Sequence, residues 1–325
     1  MDVLSGVILD RDSLHPGDLD LAPLLNISTI DWHSYANTKP SETAVRIANA
    51  DIVLTNKVVL GETDINAATQ LKYIGILATG TNVVDHSKAQ QRGITVNNCA
   101  AYGTASVVQH TWALILSLST HLQNYNQAAQ QRWSSSPFFS MLDYPMTELA
   151  GKTLGIIGYG ELGRGVATIG RTFGMNIVSA AIPGWQSAAK TDTPRLPLPE
   201  FLATADVISI HCPLSELTHN LIGAEEFALM KSSALLINCA RGGIVNEQAL
   251  AQALKQGIIA GAGVDVLTHE PPVDGNVLLE PGIPNLIITP HCAWGSQEAR
   301  QRLVNQASEK LRAFIDRPHT QPREN

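Results

Sequence analysis

Three polar residues of this chain stand where an apolar run stops. Arg241 closes Leu236-Ile237-Asn238-Cys239-Ala240-Arg241 and is followed by Gly242 and Gly243. Glu270 lies in Gly263-Val264-Asp265-Val266-Leu267-Thr268-His269-Glu270-Pro271-Pro272. His291 follows Leu286-Ile287-Ile288-Thr289-Pro290 and precedes Cys292-Ala293-Trp294. Taken singly, each has an ordinary reading: a solvated arginine, a glutamate at a turn before prolines, a histidine satisfied within the fold. Taken together they can move a proton. A guanidinium holds a carboxylate through two parallel hydrogen bonds. A glutamate on one imidazole nitrogen fixes the tautomer, and the other nitrogen can then pass a proton to a carbonyl oxygen.

A second motif supplies the rest of such a reaction. Leu154-Gly155-Ile156-Ile157-Gly158-Tyr159-Gly160-Glu161-Leu162-Gly163 is an apolar strand running into G-x-G-x-x-G, followed by a helical pattern from Arg164 to Phe173 and a strand from Asn176 to Ala181. With strand, helix and second strand all in place, this is a dinucleotide turn. Gly158 permits the tight turn, Gly160 lets backbone approach a pyrophosphate, and Gly163 allows the helix to pack on the strand. The helix N-terminus offers N–H groups and positive dipole to the phosphates. Hydride from a nicotinamide, with a proton from His291, would reduce a 2-keto acid. The acidic residue expected some 20 positions on, which binds the adenosine ribose, falls at Ala181, and the nearest basic residues downstream are Lys190 and Arg195. The sequence therefore leaves NAD and NADP both open.

The elements that must position these residues are legible. The chain has 325 residues, 44% hydrophobic and 16% charged, enough for about two domains with real cores. Lys plus Arg number 22 against 29 Asp plus Glu, a net charge of −7 that argues against a nucleic-acid or polybasic membrane binder. The longest apolar run, Trp112 to Leu118, is far shorter than a membrane span needs, and the start lacks the charge and apolar core of a secretory signal, so a cytoplasmic protein is expected. Cys99, Cys212, Cys239 and Cys292 are widely spaced, which suggests reduced, partly buried thiols rather than a zinc site or disulfides. Strands are expected at Val3–Leu9, Ile52–Thr55, Tyr73–Leu77, Thr95–Val96, Leu154–Gly158, Ile177–Ala181, Val207–His211, Ala234–Cys239, Ala260–Val266 and Leu286–Thr289. Helical stretches such as Ser41–Ala50 and Thr63–Gln70 alternate with them, which means βαβ units and parallel sheets. A long helix is expected from Thr104, a candidate N-cap, to about Gln131, then a loop from Trp133 to Pro145. A second loop, Pro183 to Pro199, holds four prolines, and the tail from Arg317 is expected to fray.

These residues as a set resemble the D-isomer-specific 2-hydroxyacid dehydrogenase family over essentially the whole chain, and within it most resemble the glycerate dehydrogenase (hydroxypyruvate reductase) branch. The resemblance rests on Ala78-Thr79-Gly80-Thr81, the turn from Gly158 to Gly163, Asn238 to Gly242, His269-Glu270-Pro271-Pro272 and Thr289 to Trp294, with Trp133 to Pro145 similar to that branch in particular. It implies two Rossmann-like α/β domains, a cofactor domain over 104–291 inserted into a discontinuous substrate domain of 1–103 and 292–325, with a cleft between them. It implies Arg241 on the substrate carboxylate, Glu270 supporting His291, and His291 as acid/base. Backbone N–H groups of Thr79 and Gly80 would share the carboxylate. Cofactor contacts are implied at Thr104, Gly158, Gly160, Glu161, Leu162, Gly163, Ala181, Cys212, Pro213, Thr218, Cys239, Ala240 and Asp265, with Asp265 toward the nicotinamide amide. No metal is implied. The branch favours NAD, with NADP possible given Ala181, and a homodimer gripped by the helix after Thr104 and the following arm, Trp133 reaching the partner's cleft.

Two relatives fit less well. Formate dehydrogenases pair the histidine with Gln, where this chain has Glu270, and the longer phosphoglycerate dehydrogenases add a C-terminal regulatory domain, where this chain stops at Asn325. The expected activity is reduction of hydroxypyruvate or glyoxylate to the D-2-hydroxy acid. Two rivals are a reductase of a bulkier 2-keto acid, decided by pocket residues near Asn56, Leu77 and Trp294, and a dinucleotide-sensing corepressor-like protein, since fold alone does not fix function.

Overall fold

The computed structural model describes residues 3–14, 17–185 and 193–316. The chain divides into two compact units, residues 1–103 with 295–325, and residues 104–294. In the first, strands β1 (Leu4–Ile8), β2 (Ile30–Ser34), β3 (Ile52–Thr55), β4 (Tyr73–Ile76) and β5 (Thr95–Asn98) pair in parallel in the order β2-β1-β3-β4-β5. Helices α1 (Ala22–Leu25), α2 (Pro40–Ile47), α3 (Glu62–Ala67) and α4 (His86–Gln91) connect them. β3 and β4 are buried along their whole length, as continuous apolar runs in a parallel sheet should be. Ile47, Ile65, Ile74 and Ile76 form the core against Leu9.

The second unit carries strands β6 (Thr153–Ile157), β7 (Asn176–Ala181), β8 (Arg195–Pro197), β9 (Val207–Ile210), β10 (Leu235–Asn238), β11 (Gly261–Val264) and β12 (Leu286–Ile288). They form one parallel sheet in the order β12-β11-β10-β9-β6-β7-β8. Its helices are α5 (Thr104–Ser119), α6 (Leu122–Arg132), α7 (Glu161–Thr172), α8 (Leu198–Thr204), α9 (Ala224–Leu229) and α10 (Glu247–Lys255). Successive residues of β10 enter opposite cores: Leu236 packs with Phe201, Ile208 and Phe227, while Leu235 and Ile237 pack with Trp112, Ile115 and Ile156. That alternation covers both faces of the sheet, as a doubly wound fold requires. The strand order reverses between β6 and β9, and such a switch point opens a crevice at the strand carboxyl ends.

The chain then returns to the first unit through α11 (Gln297–Ile315). Arg300, nearly buried, binds this helix to the N-terminal segment: its guanidinium donates to both Asp18 carboxylate oxygens at 2.7 and 2.6 Å and to the Leu14 carbonyl at 2.9 Å. Phe314 packs against Tyr73 of β4, the two rings tilted by 41° with their centres 4.8 Å apart.

Residues 292–294 group with the second unit, where the N–H groups of Cys292 and Ala293 are bound to the Asp265 carboxylate. Several local expectations need correcting. β2 and β8 are strands the sequence does not announce; both are sheet edges, and β8 ends in Pro197, tolerated where no further strand needs its N–H. The expected long helix breaks at His121, which adopts φ 49°. Ser119 and Thr120 hydroxyls both donate to the Leu116 carbonyl, a local competition that ends α5. Thr104 is the first residue of α5 rather than its cap. Cys99, Cys212 and Cys239 are buried, whereas Cys292 is exposed. Lys190, part of the Pro183–Pro199 loop and the tail from Arg317 lie outside the described residues.

Candidate active site

Arg241, Glu270 and His291 follow three neighbouring strands, β10, β11 and β12, past their carboxyl ends. The loop carrying Arg241 is shaped by Asn238, whose carboxamide oxygen accepts from the Ala240 N–H at 3.0 Å and whose NH2 donates to the Arg241 carbonyl at 2.9 Å. The Arg241 side chain, exposed to solvent, donates to the Ala240 carbonyl at 2.7 Å. Gly242 is required next: a Cβ there would run into the Leu267 and Thr268 backbone. The arginine loop is thus pressed against the loop that bears Glu270.

That second loop is tied down by Glu247, the first residue of α10. Its carboxylate accepts from the Thr268 N–H at 2.6 Å, the Thr268 hydroxyl at 2.9 Å and the Asn276 NH2 at 2.8 Å. Glu270 accepts the Leu267 N–H on Oε1 at 2.8 Å and meets His291 Nδ1 with Oε2 at 2.6 Å. Both carboxylate oxygens are therefore oriented, and Nδ1 is the histidine nitrogen that donates to the glutamate. Nε2 is left for proton exchange.

His291 itself has φ 51°, and its N–H is shared between the Asp265 carbonyl at 2.7 Å and the Thr289 carbonyl at 3.0 Å. Beneath it Asp265, 1% exposed, is a buried hub. Oδ1 accepts from the Thr289 hydroxyl at 2.6 Å and the Cys292 N–H at 3.0 Å, and Oδ2 from the Ala293 N–H at 3.0 Å. His110 on α5 completes the hub, with Nε2 at 2.9 Å from Thr289 Oγ1. Since the threonine proton goes to the carboxylate, His110 Nε2 is the donor in that contact. Sequence reasoning does not single out Asn238, Glu247, Thr289 or His110. Asn238 and Thr289 carry a signal, a polar residue ending an apolar strand; Glu247 and His110 carry none, because their partners are 21 to 179 positions away.

The dinucleotide turn lies at the switch point between β6 and β9. Gly158 has φ 95°, and a Cβ there would strike the Cys212 backbone, so the turn after β6 is seated against the loop after β9. A Cβ on Gly163 would strike the Gly158 carbonyl and come within 2.8 Å of Ile156. Gly160 is different: a Cβ there meets nothing within 4 Å. Open space over that residue, at the N-terminus of α7, is what a pyrophosphate needs, so these residues fit a dinucleotide.

The other expected cofactor residues surround this turn or the triad. Glu161 accepts the Thr104 hydroxyl at 2.6 Å, joining the starts of α7 and α5, and Leu162 is half-buried beside it. Cys212 is buried and Pro213 exposed, and the Pro213 carbonyl accepts the fully buried Thr218 hydroxyl at 2.7 Å. Thr218 therefore shapes this loop from inside. Burial pushes the Cys212 thiol up to about 11 and the Cys239 thiol up to about 12, so both are protonated, apolar packing groups at neutral pH. Cys239 and Ala240 are the buried residues leading to Arg241. Ala181 ends β7, opposite Pro197 of β8, and Arg195 is an exposed residue of that edge strand, donating to the Trp185 carbonyl at 3.3 Å. Thr79 and Gly80 follow β4 in the first unit, where the Asn98 side chain donates to the Thr79 carbonyl at 2.7 Å.

Comparison with known proteins places the chain in a family. Residues 112–293 match the NAD-binding domain of D-isomer specific 2-hydroxyacid dehydrogenases. The chain is 41% identical over 287 residues to a glycerate dehydrogenase of Methylorubrum extorquens, covering 88% of this chain and 89% of that one. It is 38% identical to a hydroxypyruvate reductase of Blautia hydrogenotrophica, covering 95% and 96%. The TT0316 protein of Thermus thermophilus shares its fold with a TM-score of 0.86 at 29% identity, covering 96% and 97%. The chain belongs to the D-isomer-specific 2-hydroxyacid dehydrogenase family, NAD-dependent oxidoreductases, and residues 112–293 are its NAD-binding domain.

Proposed function

We propose that this protein reduces hydroxypyruvate or glyoxylate to the D-2-hydroxy acid. The observation that carries the reading is the 2.6 Å contact between His291 Nδ1 and Glu270 Oε2, on a loop pressed against that of Arg241. Arg241 binds the substrate carboxylate. His291 Nε2 gives its proton to the carbonyl oxygen as that oxygen becomes a hydroxyl, and Glu270 stabilises the charged imidazole before the transfer. The Gly158–Gly163 turn would hold the pyrophosphate of a reduced dinucleotide, whose nicotinamide would supply the hydride to the carbonyl carbon. Asp265, held by three donors, orients the backbone of His291 and the site for the nicotinamide amide.

NADH is the proposed cofactor. Ala181 offers no carboxylate to repel a 2′-phosphate, so NADPH is used as well. The two relatives, a glycerate dehydrogenase and a hydroxypyruvate reductase, favour hydroxypyruvate over a bulkier acid. The protein is proposed to act in the cytoplasm as a homodimer; no helix among the described residues is long and apolar enough to cross a membrane. The dimer reading rests on the arm after α5, where Trp133, Phe138, Phe139 and Leu142 are 52 to 92% exposed. The arm is internally ordered: Tyr125 donates to the Tyr144 carbonyl at 2.7 Å and Trp133 Nε1 to the Phe139 carbonyl at 3.0 Å. An ordered apolar surface of this kind marks an interface. Sedimentation at micromolar concentration tests it, and a monomer would refute it.

The deciding experiment follows oxidation of NADH and NADPH with hydroxypyruvate, glyoxylate, pyruvate and 2-ketoisocaproate. Turnover greatest with the first two supports the reading. Preference for 2-ketoisocaproate would make it a reductase of bulkier acids, and nucleotide binding without turnover would make it a sensor.

A further inference from the structure

Behind the triad, the second unit brings together three side chains that the reaction does not use as a group. His110 Nε2, a carboxylate oxygen of Asp265 and Cys292 Sγ lie within 4.8 Å of one another. They come from α5, the end of β11 and the segment after β12. Nothing in their spacing of 110, 265 and 292 suggests a metal site, so this departs from the sequence expectation of none.

We propose that His110, Asp265 and Cys292 form a binding site for a thiophilic divalent cation, Zn2+, whose occupancy inhibits the enzyme. The donor set is one imidazole, one carboxylate and one thiolate, the mixture that selects Zn2+ over Mg2+ or Ca2+. Zn2+ bonds of about 2.0 to 2.3 Å at tetrahedral angles put neighbouring donor atoms about 3.3 to 3.7 Å apart. His110 Nε2 and Asp265 Oδ1 already stand 3.6 Å apart. The sulfur of Cys292, the exposed member, already hydrogen-bonds Asp265 and Thr289, so a small shift inward brings it to bonding distance of a shared ion. Three protein ligands leave the fourth position to water. Second-sphere support exists too, since the Ala293 N–H holds Asp265 Oδ2 at 3.0 Å.

The site is not an obligatory metal centre, because Thr289 holds it closed by hydrogen bonds. Its hydroxyl bridges His110 Nε2 at 2.9 Å and Asp265 Oδ1 at 2.6 Å. A cation entering there replaces that bridge. Thr289 rotates away, His110 carries its proton on Nδ1 instead of Nε2, and the Cys292 thiol releases its proton to solvent. Three ligand bonds form and no redox change is involved. Binding draws Cys292 inward, and Cys292 directly follows His291, whose backbone is pinned at φ 51° by Asp265 and Thr289. The displacement therefore reaches the acid/base. The other three cysteines are buried, so they offer Zn2+ no competing exposed thiol.

Inhibition presupposes the dehydrogenase reading, whereas binding does not, and the test separates them. Zn2+ is titrated calorimetrically into wild type, Cys292→Ala and His110→Gln without nucleotide, and Co2+ is added in parallel to seek the near-ultraviolet thiolate-to-cobalt charge-transfer band. Turnover is then measured against Zn2+. Wild type should bind one Zn2+ per chain and show the cobalt band. Cys292→Ala, altering an exposed side chain, should fold normally, lose the band, and weaken both Zn2+ binding and inhibition by at least about 100-fold. Absence of Zn2+ binding to wild type, or unchanged binding by Cys292→Ala, overturns the site. Binding without loss of turnover overturns the inhibitory role. Failure of the dehydrogenase reading shows instead as no turnover before any Zn2+ is added.

Discussion

His291 Nδ1 lies 2.6 Å from Glu270 Oε2, while the other oxygen of the same carboxylate is held by the Leu267 N–H at 2.8 Å. The glutamate is thus fixed before it fixes the histidine. A carboxylate anchored at both oxygens cannot swing away when the imidazole changes charge, so Nε2 would keep its direction through the proposed proton transfer.

Replacing His291 by Ala should lower kcat by about 10²–10⁴-fold with nucleotide affinity unchanged, because general acid catalysis is worth that much. Glu270→Gln keeps a hydrogen-bonding shape and loses the charge, so a smaller fall in kcat, about tenfold or more, is expected. Steady-state kinetics with a parallel nucleotide titration reads both. Near wild-type turnover in His291→Ala removes the histidine from the mechanism.

Arg241→Ala should raise KM for the keto acid and lower kcat/KM by about 10–100-fold, the loss of a charged hydrogen-bonding partner to a carboxylate. Arg241→Lys should recover only part of it, since an ammonium cannot make the paired contact. Unchanged kinetics in Arg241→Ala would place the carboxylate elsewhere.

At the dinucleotide turn, Gly160 and Gly158 should separate binding from folding. Gly160→Val adds atoms where the fold has open space, so the unfolding midpoint should hold while nucleotide affinity falls at least about tenfold. Gly158→Ala puts a Cβ at φ 95° into the Cys212 backbone and should cost stability as well. Equal nucleotide affinity in Gly160→Val and wild type, by fluorescence titration, would move the pyrophosphate away from α7.

Ala181 stands where a ribose-binding carboxylate would be. Ala181→Asp should raise the preference for NADH over NADPH by about 10–100-fold, from one charged acceptor gained and one 2′-phosphate repelled. A ratio of kcat/KM values that does not move would mean that the adenosine ribose is bound elsewhere.

His211, at the end of β9, bonds Ser209 Oγ at 2.8 Å through Nε2, and its buried Nδ1 has no partner. Burial pushes its imidazole down from 6.5 to about 4. The unfolded chain therefore binds more protons than the native one between those values, and stability falls as pH drops through that window. The loss from this group reaches about 3 kcal/mol near pH 4. His211→Asn should flatten urea-unfolding stability between pH 6.5 and 4; an unaltered slope would show that the imidazole is not buried neutral.

The sequence by itself determined the alternation of strands and helices, the dinucleotide turn and the three residues proposed to react. Those are local signals: apolar runs as long as β3 or β10, glycines at fixed spacing after β6, and polar residues at strand ends. The edge strands β2 and β8 escaped because a partly exposed edge lacks the apolar run that marks a central strand. The break at His121 escaped because it depends on Ser119 and Thr120 hydroxyls competing for one carbonyl. Tertiary structure alone decided that Glu247 holds the Glu270 loop, that Thr218 faces inward, and that Cys292 is exposed beside Asp265 and His110. Each of these depends on burial and on partners distant in sequence, and only the packing of the sheet and its helices brings such partners within bonding distance.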